Sequence, residues 1–62
     1  MSTYKSFDTE DNEAVSLASI GDVIKVTVID KEGYYQSTYM THETAKQVRD
    51  HLTQLIERRE GR

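Results

Sequence analysis

The stretch Val23-Ile24-Lys25-Val26-Thr27-Val28-Ile29 decides the fold. Five of its seven residues are Val or Ile, whose branched β-carbons stiffen the first side-chain torsion and suit a pleated surface better than a helix. Gly21-Asp22 stands before the run and Asp30-Lys31-Glu32-Gly33 after it, so turn signals bound it on both sides. It reads as a central strand with a neighbour on each flank.

Upstream, Ala14 to Ile20 alternates loosely, with Val15 and Leu17 on one side and Ala14, Ala18 and Ile20 on the other. Gly21-Asp22 is a two-residue connection with glycine first, which suits a type II′ or I′ hairpin turn. That turn sets Ile20 opposite Val23, Leu17 opposite Val26 and Val15 opposite Val28. Val15, Leu17, Ile24, Val26 and Val28 then share one face of the sheet. Before this hairpin, residues 1–13 carry Asp8, Glu10, Asp11 and Glu13 against a single Lys5, with only Tyr4 and Phe7 able to pack. They read as a flexible acidic N-terminal arm, with residues 14–60 as the single folded domain.

Downstream, Asp30-Lys31-Glu32-Gly33 reads as a type I turn closed by a glycine of positive φ, the hairpin loop that carries a bulge. A third strand follows from Tyr34 to Met40. Two registers are open to it. The bulged loop, which is favoured, sets Met40 beside Ile24 and sends Tyr35 and Tyr39 to the outer face. A loop one residue longer would bring both tyrosines onto the core face, because a one-residue slip flips every side chain.

Thr41 is a good N-cap, and Glu43 sits in the first turn, where the helix dipole favours a carboxylate. The helix is expected from His42 to about Arg59. Ala45, Val48, Leu52, Leu55 and Ile56 recur at helical spacing as one apolar stripe, and Lys46–Asp50 is a possible i,i+4 ion pair. Arg58 and Arg59 suit the C-terminal end of the dipole, with Gly61 just beyond. The fold class is therefore α+β: a three-stranded antiparallel meander followed by one C-terminal amphipathic helix, β-β-β-α. One helix laid across the sheet covers only one face. The other face would carry Ile20, Val23, Ile29, Tyr35 and Tyr39 with Lys25 and Thr27, which is too apolar to meet water. A homodimer that covers it is the expected assembly.

Composition narrows the functional classes. Sixty-two residues make one domain whose core is marginal on its own. The chain has no cysteine, so disulfides and thiolate metal sites are excluded. With no basic start leading into an apolar run, no signal peptide is expected. No apolar run approaches the roughly 20 residues that a membrane span needs. A cytoplasmic protein with no membrane association is the expectation. The net charge of −3 argues against duplex nucleic acid as a partner, since its binders usually carry a basic stripe.

No catalytic constellation is visible, and no cofactor is expected. His42 and His51 stand nine positions apart, on opposite sides of a helix, and cannot ligate one metal as histidines at i and i+4 do. The three glycines are isolated and form no phosphate loop. The densest unusual feature is Tyr34, Tyr35 and Tyr39, since tyrosine joins a large rigid surface to a polar tip and is enriched at interfaces. With Lys25 and Ile29 they make the candidate binding surface.

The run from Val26 to Leu55 resembles small accessory proteins of tailed bacteriophages. The likeness lies in the acidic glycine turn Asp30-Lys31-Glu32-Gly33, a strand ending in Met40-Thr41, and the amphipathic segment Glu43-Thr44-Ala45-Lys46-Gln47-Val48-Arg49-Asp50-His51-Leu52. It covers about half the chain and includes no catalytic or binding signature. What it implies is a small acidic protein that binds a host protein, such as an inhibitor of a defence system. The sequence as a whole thus predicts a non-enzymatic protein-binding module that acts by steric occlusion. Two alternatives remain open: a small-ligand or signal-nucleotide binder with its site at a subunit interface, and a weak DNA-binding ribbon dimer using Lys25, Thr27 and Lys31.

Overall fold

The computed structural model describes residues 3–61. It contains strands β1 (Tyr4–Asp8), β2 (Ala14–Ile20), β3 (Val23–Ile29) and β4 (Tyr35–Thr41), followed by helix α1 (His42–Glu60). The strands form one antiparallel sheet in the order β1-β2-β3-β4. The α+β class, the antiparallel meander and the single C-terminal helix are as expected. The strand count is not, because the sheet has four strands rather than three.

The extra strand lies inside the segment read as a flexible arm. Asp11 and Asn12 both adopt positive φ, 58° and 60°, the signature of a type I′ hairpin turn, and Asp and Asn tolerate that region better than most residues. The turn is closed by Glu13 N donating to Glu10 O at 3.1 Å and Thr9 N donating to Glu13 O at 2.8 Å. Tyr4–Asp8 then pairs along β2, with Phe7 opposite Val15 and Lys5 opposite Leu17. Ser19 N extends the ladder to Thr3 O at 2.9 Å. The sheet thus begins at Tyr4 rather than Ala14. Met1 and Ser2, the first two residues of the expected arm, lie outside the described residues.

The two later hairpins follow the turn chemistry. Gly21 has φ of 59° while Asp22 has no positive φ, which selects the type II′ form, and Ile20 faces Val23. Gly33 has φ of 91°. Asp30 organises its loop: its Oδ1 accepts from Glu32 N and Tyr34 N, each at 3.0 Å. Met40 stands opposite Ile24, and Tyr35 opposite Ile29. The bulged register is therefore the one present, with both tyrosines away from Ile24, Val26 and Val28.

Because directly paired residues share a face, the register defines two surfaces. The aliphatic face carries Phe7, Val15, Leu17, Ile24, Val26, Val28 and Met40. The tyrosine face carries Tyr4, Ile20, Val23, Lys25, Ile29, Tyr35 and Tyr39.

Helix α1 does not lie across either face as a cover. Thr41 is at once the last residue of β4 and the N-cap of α1, its hydroxyl accepting from Thr44 N at 3.2 Å. No loop separates strand from helix, whereas strand–helix connections usually take about 2–6 residues. The helix direction is set at that junction, and its sheet neighbours are β4 and β3 alone. Of its nineteen residues only Ala45 is half-buried. Asp50 pairs with Arg49 (3.0 Å) in place of the expected Lys46. Gly61 caps the end with φ of −77°, its N donating to Glu57 O at 2.8 Å, without left-handed backbone.

Among the described residues no apolar side chain is buried, and Ser16, 5% exposed, is the one buried residue. The chain exposes 5610 Å², whereas a compact monomer of its mass would expose about 4,100 Å². The Cα radius of gyration is 13.3 Å, against about 10.5 Å for a compact chain of this length. The single chain has elements but no closed core.

Candidate functional site

The tyrosine face is built in rows that run across the strands. Its middle row is Ser6, Ser16, Thr27 and Ser37, one hydroxyl from each strand. Thr27 Oγ1 and Ser37 Oγ are hydrogen-bonded at 2.8 Å. One flanking row is Asp8, Ala14, Ile29 and Tyr35, and the other is Tyr4, Ala18, Lys25 and Tyr39. On this face β2 contributes only Ala14, Ser16 and Ala18 before Ile20. A line of small side chains therefore runs between Tyr4 on one side and Lys25, Ile29, Tyr35 and Tyr39 on the other.

This arrangement brings together four of the five residues singled out from the sequence. Lys25 is directly opposite Tyr39, and Ile29 directly opposite Tyr35. Tyr35 is 71% exposed and Tyr39 58% exposed, so each presents a large rigid surface with a polar tip to solvent. Tyr34 is the exception. It precedes β4 in the hairpin loop, where Asp30 N donates to its carbonyl at 2.8 Å. With Val28, Asp30, Tyr35 and Gln36 it lines a shallow concavity beside the loop, and Val28 and Gln36 belong to the aliphatic face.

Two participants escaped the sequence reading. Tyr4 joins the face because β1 pairs with β2, which sets it opposite Ala18. The hydroxyl row is invisible until all three registers are known, since its members come from four separate segments. The signal available for both was the Asp11-Asn12 turn, which implies a strand before it.

Lys25 is the single cation of the tyrosine face among the described residues, and Lys31 lies in the β3–β4 loop, so the two lysines make no continuous basic ribbon. Among the described residues no three His, Asp or Glu side chains come together as a metal cluster, and no helix is long and apolar enough to cross a membrane. No family model matches this chain, and no curated protein or solved structure matches it.

Proposed function

We propose that this chain is a non-enzymatic protein-binding module that acts by occupying a partner's surface with its tyrosine face. The observation that carries this reading is the pair Tyr35 and Tyr39, exposed on one face beside Lys25 and Ile29. Rigid aromatic side chains bring large contact area at low entropic cost, and they are enriched among residues that dominate interface energetics. The line of small residues along β2 offers room for a partner's side chains between the aromatic flanks. The net charge of −3 steers a basic partner toward the molecule. The phage resemblance supplies the class of partner, a host protein blocked sterically.

The test is Tyr39→Ala. Tyr39 is mostly exposed, so the substitution leaves far-UV circular dichroism unchanged and weakens partner binding by about 2 kcal/mol or more, some thirtyfold in Kd. Undiminished binding by the variant overturns the reading.

A further inference from the structure

The tyrosine face leaves a larger question, because the aliphatic face and the stripe of α1 are also open. Phe7, Leu17 and Val28 on the sheet are 42%, 40% and 57% exposed, and Val48, Leu52, Leu55 and Ile56 on the helix are between 41% and 53% exposed. We infer that a second copy of this chain covers them: each protomer's α1 packs its apolar stripe on the aliphatic face of the other, in a reciprocal two-fold dimer.

Two observations support that occupant. The first is area. The exposed surface exceeds that of a compact monomer of this mass by about 1,500 Å², and obligate homodimers bury about 1,000–2,500 Å² on each partner. The second is chemistry and size. The helix stripe is aliphatic and the sheet patch is mainly apolar, with Lys5, Ser19, Gln36 and Thr38 at its margins, and each lacks a cover within its own chain. The stripe from Ala45 to Ile56 is about 16 Å long at the helical rise, and the patch from Phe7 on β1 to Met40 on β4 spans three strand spacings, about 14 Å. An open depression there, lined in part by Thr3, Lys5, Phe7, Leu17, Ser19 and Ile24, is a seat for a helix.

Reciprocity follows from the junction at Thr41. With no loop at the junction, α1 leaves the apolar residues of its own sheet exposed, and two-fold symmetry lets two such helices exchange places. The tyrosine face, with its hydroxyl row and Lys25, is the more polar of the two sheet surfaces and stays open for a different partner. The dimer stands on different residues from the proposed binding face and is read by a different measurement, so either can fail without the other.

The experiment is sedimentation equilibrium of the unaltered chain, followed by isotope-filtered NMR on a mixture of labelled and unlabelled protein. The expected mass is twice the 7.2 kDa of the chain, with intermolecular contacts from the methyls of Leu52, Leu55 and Ile56 to those of Leu17, Val26 and Val28. A folded monomer at every concentration overturns the inference. So does a dimer whose intermolecular contacts join Ile20, Val23 and Ile29, or join helix to helix alone. So does a chain that stays unfolded throughout, because a second copy would then not suffice. Leu17→Lys and Leu52→Glu each break the homodimer, and mixing the two variants restores association, since one seat is then unaltered and the other holds an opposite-charge pair.

Discussion

At the scale of the residue, this fold is held in register by turn chemistry. Asp30 accepts two backbone N–H groups, and Gly33 supplies the positive φ that lets β4 return with one extra residue. Nothing lies within 4 Å of a Cβ built on Gly33, so the effect of a side chain there comes from the backbone alone. Gly33→Ala is expected to lower stability by about 1–2 kcal/mol, the cost of left-handed backbone for an L-residue. The measurement is the urea midpoint, which falls while the slope of the transition stays constant. These residues were legible in advance because turn conformations depend on near neighbours only. Asp11-Asn12 was equally legible by the same rule and went unread, since the acidic run around it resembles a solvated tail.

At the scale of the element, the strands and the helix differ in what sustains them. β2 and β3 have a partner on both sides, and their Val and Ile content agrees with the pairing. β1 carries no clear period-two pattern, with Tyr4 on one face and Phe7 on the other, so only pairing with β2 makes it a strand. Helix α1 depends on its own local signals because so little of it is covered. Its first turn is secured by Thr41, whose side chain accepts from Thr44 N, and by Glu43 at the positive end of the dipole. Thr41→Ala is expected to cost about 1 kcal/mol and to reduce helical far-UV circular dichroism, with the loss concentrated at the N-terminal turn in hydrogen exchange. Because Thr41 also ends β4, the substitution tests whether strand and helix share one junction. Equal helicity in the variant would show that the cap contributes little.

At the scale of the whole molecule, the absence of any fully buried apolar side chain among the described residues is the decisive fact. Helical stability in proteins comes mainly from packing an apolar face, and α1 meets its own sheet only at β4 and β3, with most of its apolar stripe left exposed. Folding coupled to association is therefore expected to make the melting temperature rise with protein concentration, on the order of 5 °C for each tenfold increase. Calorimetry over a hundredfold range reads this directly. A constant melting temperature would mean that the isolated chain is stable without a cover.

The amino-acid sequence by itself determined the β2–β3 hairpin, the cap at Thr41 and the apolar stripe of α1, and it favoured the bulged β3–β4 loop over the longer one. Each rests on backbone preferences and periodicities a few residues long. With two registers open for the last strand, it was the structure that placed Lys25, Ile29, Tyr35 and Tyr39 on one surface. Only the tertiary structure decided that β1 joins the sheet, that Tyr4 and the four hydroxyls complete that surface, and that the helix leaves both faces open. Those outcomes depend on pairing between distant segments and on the direction taken at a junction with no loop, which no local pattern encodes.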